Sequence, residues 1–347
     1  MNPKLRVAVI GAGRMGRHHA RVYSSQPNCE LVAIVDKDLP RAEAIAKEFG
    51  GAAVVRVADL RGDLDAATVA VPTVYHAEVA IPLIERGVAV LIEKPLAPDT
   101  ISAGQIRSAA RKHNAVVQVG HSERFNPVVQ AMLRMNVAAR FIETQRVSPF
   151  TFRSADIGVV FDMMIHDIDI VLHLVRRNGE PPAEYSLDAV GVAVLGHCED
   201  VANARIRFGK DAAANLTASR LALKTERRIR IFCPTAYLTM DYHRKTGLAI
   251  KLADNVDLIR FARERNFEDL SQLANLDYGS MVKIEPLIVD DVEPLQAEIA
   301  SFLESVRTKS ATAVSVEEGF AAVEMAEKIT NAVREQDWGK GLVQSAP

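Results

Sequence analysis

The sequence predicts an α/β plus α+β protein: a doubly wound parallel sheet over residues 1–121, then, over 122–347, a domain built on a largely antiparallel sheet. Three observations carry this. Up to about residue 120, apolar runs alternate with helix-spaced stretches, the pattern of parallel strands joined by right-handed crossovers. Beyond that point, short runs with period-two alternation follow one another with Gly or Pro between them, as in an antiparallel sheet. At 347 residues the chain also exceeds what one core usually holds.

The first apolar run, 5–10, leads directly into Gly11-Ala12-Gly13-Arg14-Met15-Gly16, and 18–24 continues as a helix. A G-x-G-x-x-G between a strand and a helix reads as a dinucleotide-binding loop. Its first two glycines allow a tight turn and close approach to a pyrophosphate, and the third allows close helix packing. The second strand, 31–35, ends in Asp36, about 20 positions past Gly16, where the acidic ribose ligand is expected. A carboxylate there accepts hydrogen bonds from the adenosine ribose hydroxyls and repels a 2′-phosphate, which favours NAD over NADP. Lys37 and Arg41 stand where a cation could accommodate that phosphate. Strands at 67–71, 89–92 and 115–119, with helices at 75–86 and 101–113, complete a Rossmann domain.

The second domain shows strands at 140–147, 187–195, 201–208, 212–221, 228–232 and 237–242. Its helices are fewer: one over 162–175 and a closing pair over 293–306 and 316–334. The polar stretch 254–278 reads as a loop with a short helix. In Ala212-Ala213-Ala214-Asn215-Leu216-Thr217-Ala218 both strand faces carry small or apolar residues, so a homodimer or homotetramer through this sheet is expected.

Charge and cysteine usage narrow the function classes. A formal net charge of -2 without a basic run speaks against a nucleic-acid partner. Cys29, Cys198 and Cys233 are widely spaced, odd in number and match no metal pattern, so they read as reduced packing residues. No secretory or membrane-spanning segment is visible, and the expected location is the cytoplasm.

The most informative stretch is Val88 to Ala97, in which Lys94 ends a buried apolar run just ahead of Pro95. An amine at the carboxyl end of a buried strand is costly unless a ligand or partner answers it. In an open α/β sheet, that edge is where ligands bind. A second candidate pair is Asp162 and His166, four apart and so on one helix face, where a carboxylate can orient an imidazole able to serve as a base near neutral pH. His166, Asp169 and His173 also have a metal-like spacing, but further clustered ligands are lacking and no metal is expected. Arg124 and Asn126 follow the fifth strand at the same sheet edge; they either bind substrate or fix the loop. Arg153 could meet a diphosphate with its bidentate fork.

Together these residues resemble the glucose-fructose oxidoreductase and inositol dehydrogenase (Gfo/Idh/MocA) family of NAD(P)-dependent sugar oxidoreductases. The likeness rests on Gly11 to Gly16, on Val71-Pro72-Thr73-Val74-Tyr75-His76, on Glu93-Lys94-Pro95-Leu96-Ala97 and on Asp162 with His166, and it extends to the closing helices. The resemblance implies that Lys94, Asp162 and His166 are catalytic. It implies a cofactor-binding set of Gly11, Gly13, Arg14, Met15, Gly16, Asp36, Pro72, Thr73, His76, Glu93 and Lys94. Substrate would fall to Lys94, Arg124, Asn126, Arg153, Asp162 and His166. Thr73 stands where many relatives have Asn, and a multiple-glycine run before the aspartate is reduced to Gly158.

The stretch Val119 to Pro127, with Asp156 to Val159 and His166 to Asp169, is similar more narrowly to UDP-N-acetylglucosamine 3-dehydrogenases. That likeness implies oxidation of the sugar's C3 hydroxyl to a 3-keto nucleotide sugar for amino-sugar and lipopolysaccharide synthesis. The alternatives are another sugar or polyol such as inositol, or a non-catalytic dinucleotide-binding regulator. Retention of Lys94, Asp162 and His166 together favours the enzyme.

Overall fold

In the computed structural model the residues described are 3–60, 62–151, 157–177, 184–252 and 282–336. They fall into two compact units. The first draws on 1–125, 160–172 and 292–335, and the second on 126–159, 173–291 and the residues from 336 on.

The first unit is built on a six-stranded parallel sheet. Its strands are β1 (Leu5–Ile10), β2 (Cys29–Val35), β3 (Ala52–Val54), β4 (Ala66–Val69), β5 (Ala89–Glu93) and β6 (Val117–Gly120), in the spatial order β3-β2-β1-β4-β5-β6. The central strands are apolar on both faces because helices cover both faces of a parallel sheet; β4 and β5 are buried along their whole length. Helices α1 (Arg14–Ser25), α2 (Leu39–Phe49), α3 (His76–Glu85) and α4 (Thr100–Lys112) connect successive strands. Asp38 caps α2 by accepting from the Arg41 amide, and Asp99 caps α4 by accepting from that of Ser102. The alternation expected over 1–121 is present. Strand β3 and helix α2, too short and too polar to stand out by periodicity, are added to it.

The closing helices differ from expectation. The sequence places them with the second domain, but α7 (Pro294–Thr308) and α8 (Val316–Glu335) belong to the first unit. The reason is apolar. Ile299, Phe302 and Leu303 of α7 share one buried core with Val7, Val9, Tyr23, Leu31, Ile34 and Leu91. Each such side chain contributes on the order of 1.5–3 kcal/mol on burial.

The second unit carries α5 (Pro127–Arg134) and an eight-stranded sheet. Its strands are β7 (Phe141–Val147), β8 (Tyr185–Val192), β9 (Val201–Phe208), β10 (Ala212–Ser219), β11 (Glu226–Phe232), β12 (Ala236–Asp241), β13 (Thr246–Leu252) and β14 (Val282–Pro286). Their order is β14-β13-β12-β11-β7-β10-β9-β8, antiparallel throughout except where β7 runs parallel to β10. Helix α6 (Ile165–Arg177) begins in the first unit and ends in the second. Strands β13 and β14 were not read from the sequence, and the 254–278 stretch lies outside the described residues.

The second face of this sheet is polar around β10 and apolar only toward its edges. Ala212, Ala214, Leu216 and Ala218 are buried together with Ala202, Ala204, Ile206 and Phe208. The opposite face presents Glu143, Gln145, Asn203, Asn215, Thr217, Arg228 and Arg230. Asn203 donates to the Thr217 hydroxyl at 2.8 Å and Arg205 to the Asn215 side chain at 3.1 Å. Toward the two edges of the sheet the same face turns apolar: Val190 and Val192 of β8, Phe232 of β11, Leu248 of β13 and Ile284 of β14 are exposed on it.

Candidate active site

The carboxyl edge of the parallel sheet gathers the candidate residues, and all those named next belong to the first unit. Gly11 leaves β1 with φ +102°, and its amide donates to the Val35 carbonyl at 2.7 Å. A Cβ there would lie 2.5 Å from the Ala70 carbonyl oxygen, and one on Gly16 only 1.7 Å from the Gly11 oxygen. Only glycine serves at either position. Gly13 is different: a Cβ there would meet nothing within 4 Å, and no side chain caps α1. The free amides of that helix end, with open space before them, suit a pyrophosphate.

Asp36 is bound into the same loop. One carboxylate oxygen accepts from the Ala12 amide at 2.7 Å and the other from the Asp38 amide at 2.9 Å. The anion is thus in place before any ribose arrives. The nearby cations are both engaged: Lys37 lies over the Tyr75 ring, and Arg41 pairs with Asp38 at 3.2 Å. These residues fit a dinucleotide lacking a 2′-phosphate.

Glu93, the last residue of β5, is buried, and its carboxylate meets His19 Nε2 at 2.6 Å. Burial by itself raises the Glu93 pKa, but the His19 contact together with the charges of His19, Lys94 and His76 outweighs it and holds the carboxyl below its ordinary range. A chain of hydrogen bonds continues inward. His19 meets the Thr68 hydroxyl at 3.4 Å, and Thr68 meets Tyr23 Oη at 2.8 Å. Glu93 thus faces the protein interior rather than a cofactor.

Lys94, half-buried, donates from Nζ to the main-chain carbonyl of Asp162 at 2.9 Å. Asp162 stands in a π-helical turn, Val160–Met164, ahead of α6, where the sequence suggests plain α-helix. Such wide turns recur at functional sites. The sequence pairs the Asp162 carboxylate with His166; it is the backbone carbonyl of Asp162 that accepts from the lysine.

His166, in the first turn of α6, lies edge-on to His121, with ring centroids 6.5 Å apart and planes at 90°. His121 was not singled out from the sequence. The register that pairs Glu93 with Gly120 makes it the counterpart of Lys94 on the neighbouring strand exit. Its ring is fully buried, and burial pushes its pKa below the ordinary imidazole value. A residue next after a strand that ends opposite Glu93 is the signal that could have found it.

Arg124 serves the fold. Nε and Nη2 donate to the two Asp169 oxygens at 2.6 and 2.9 Å, and Nη2 also donates to Glu318 at 2.9 Å. Of the two roles the sequence left open, loop fixing is the one this geometry supports, and it also spends the Asp169 carboxylate that a metal would have used. In the second unit, the Asn126 side chain caps α5 by accepting from the Val128 amide at 3.1 Å and donates to the Tyr242 carbonyl at 3.4 Å. Arg153 lies outside the described residues. Pro72, Thr73, Arg14 and Met15 are at the surface or half-buried beside the glycine loop and the β4 exit. His76 is buried. Among the described residues, no helix is long and apolar enough to cross a membrane.

Residues 5–121 match a family described as an oxidoreductase family with an NAD-binding Rossmann fold, and 129–239 match the Gfo/Idh/MocA C-terminal domain. The chain is 35% identical over 252 residues to a UDP-N-acetylglucosamine 3-dehydrogenase of Acidithiobacillus ferrooxidans, covering 70% of this chain and 78% of that protein. It is 30% identical over 250 residues to a scyllo-inositol 2-dehydrogenase (NAD(+)) of Bacillus subtilis, covering 63% and 68%. A solved structure of the Acidithiobacillus enzyme superposes with a TM-score of 0.81 at 29% identity, covering 96% of this chain and 98% of that one. A levoglucosan dehydrogenase solved with NADH and levoglucosan shares the fold, with a TM-score of 0.77 at 17% identity over 96% and 98%.

Proposed function

The chain belongs to the Gfo/Idh/MocA family of NAD-binding oxidoreductases, and from that membership we propose that it oxidises the C3 hydroxyl of UDP-N-acetylglucosamine to the 3-keto nucleotide sugar. The observation that carries the reading is the meeting of Lys94 and the Asp162 turn, with His166 close by, at the sheet edge that also holds the glycine loop.

Oxidising a secondary alcohol sends a hydride to the cofactor and a proton to the protein. Bound NAD supplies the hydride acceptor; Gly11, Gly13, Gly16 and Asp36 would hold it. Lys94 donates to the alcohol oxygen and stabilises the charge that builds there. A neutral His166 takes the proton as general base. Asp162 holds the ammonium in position through its carbonyl.

The product would feed amino-sugar and lipopolysaccharide synthesis in the cytoplasm. A homodimer or homotetramer through the eight-stranded sheet belongs to the same proposal, supported by the apolar side chains exposed toward the edges of its open face.

Incubation with NAD and a panel of UDP-sugars and inositols, followed by NADH absorbance, tests the substrate. His166→Asn should lower turnover by about 10²- to 10⁴-fold. Lys94→Ala should lower it at least as much, because it removes the charge beside the developing oxyanion. Normal turnover in both variants would place the chemistry elsewhere, and preference for an inositol would replace the nucleotide sugar.

A further inference from the structure

His76 opens α3, five residues past the β4 exit at Val71, and is 1% exposed. Both its ring nitrogens face main-chain carbonyls. Nε2 lies 3.0 Å from the Val71 oxygen, while Nδ1 lies 3.0 Å from that of Pro95 and 3.3 Å from that of Leu96. The ring therefore spans the exits of two adjacent strands, β4 and β5. On one side, Val71 leads to Pro72 and Thr73. On the other, Pro95 follows Lys94.

A neutral imidazole has one N–H, so it hydrogen-bonds to one strand exit and only packs its second nitrogen against the carbonyl of the other; a ring protonated on both nitrogens donates to both. Burial holds the pKa of this ring below its ordinary value, against the pull of the carbonyls and of Glu93. With both edges taken up by the backbone and almost no exposed surface, the ring has no edge left for a cofactor. That removes the direct cofactor contact the family resemblance suggested for it.

We propose that His76 is a positioning residue: it ties the loop bearing Lys94 to the loop bearing Thr73 and so sets the place of the ammonium relative to the cofactor end of the site. The inference rests on the reading of Lys94 as the oxyanion donor. Lys94 sits one residue before a carbonyl that meets the His76 ring, and its own Nζ donates to the Asp162 carbonyl. Small displacements matter there, since a shift of about 1 Å in a reacting group can cost about 10²-fold in rate.

The test compares His76→Phe, which keeps the ring volume without a donor, with His76→Gln, which keeps one donor. Three quantities are measured: turnover with the best substrate found, NAD affinity by calorimetry, and the acetic-anhydride labelling rate of Lys94 read by mass spectrometry without substrate. The expected order of turnover is wild type, Gln, Phe, with Phe down by about 10- to 100-fold. NAD affinity should change less than about threefold, since no cofactor contact is lost. Lys94 labelling should quicken in the same order as its hydrogen bond loosens.

Unchanged labelling and turnover in His76→Phe would overturn the proposal. So would a loss of NAD affinity with turnover at saturating NAD intact, or a lowered Tm with both kinetic readouts intact. If Phe prevents folding, the Gln variant carries the test by the same criteria. If no sugar is turned over by the wild type, the dehydrogenase reading fails and the labelling series still decides the clamp.

Discussion

Replacing Arg124 by Met removes the cation from a buried ion triad while keeping much of the aliphatic volume. The Arg124 and Asp169 side chains are 5% and 1% exposed, and Glu318 is 17% exposed. Asp169 would be left as a buried anion without its guanidinium, a loss of about 3–5 kcal/mol. Glu318 is cushioned, because its second oxygen accepts from both the amide and the hydroxyl of Ser315 at 2.9 Å. At about 2–4 °C per kcal/mol, Tm of the NAD-binding unit should fall by roughly 6–20 °C. Asp169→Leu alone strands the guanidinium and should cost a similar amount. The double variant Arg124→Met/Asp169→Leu trades the pair for apolar packing and should return to within about 1–2 kcal/mol of wild type. Scanning calorimetry reads this. The relevant transition is the one that moves upward on adding NAD, since two compact units need not unfold together. A single-variant shift below about 2 °C, or a double variant as damaged as both singles added, would refute the reasoning.

Two further predictions follow from charges in the same unit. Glu298 is fully buried, its carboxylate oxygens without a hydrogen-bond partner among the described residues, and burial, aided by Glu93, raises its pKa well above the ordinary range. The folded chain thus keeps a proton that the unfolded chain has released, so this group's contribution to stability falls as pH rises from the usual carboxylate range toward its raised value. Glu298→Gln should raise Tm at neutral pH and little at acid pH; parallel Tm–pH curves for the two proteins would rule this out. Asp36→Ala removes both the ribose acceptor and the anchor of the Ala12 amide. NAD affinity should fall by about 10- to 100-fold, as for a lost hydrogen bond to a charged group, and that of NADP by less. Equal losses for the two cofactors by calorimetry would contradict the assigned role.

The parallel sheet was legible because its signals are local. Strands buried on both faces are continuous apolar runs, and the Gly11 to Gly16 loop has backbone demands that few sequences meet. The sorting of α7 and α8 was not legible. Nothing in their spacing says that Ile299, Phe302 and Leu303 complete the core of a sheet that ended nearly two hundred residues earlier. Face assignment in β10 was ambiguous for a related reason. Alanines on both sides of a strand leave the pattern degenerate, and the neighbouring Arg205, Arg228 and Arg230 decide which face stays wet. Strands β13 and β14 lacked a strong alternation of their own.

For the site, residue type indicated chemistry but not division of labour. Lys94 was found because a lysine ending a buried strand is an expense that local rules do not explain, which is where function is expected. The same logic, applied to Arg124, led to substrate or loop without a decision, because its partners Asp169 and Glu318 lie 45 and 194 residues away. Those partners matter to catalysis all the same. The Arg124–Asp169 pair fixes the turn after β6 to α6 three residues beyond His166, nearly one helical turn, and the Lys94–Asp162 bond fixes β5 to the turn that opens that helix. Two strand exits and one helix start are thus joined at two points on either side of His166. The proposed reaction centre is therefore held by backbone and ion-pair anchors outside the reacting groups, and substitutions at those anchors should disturb His166 and Lys94 together rather than one at a time.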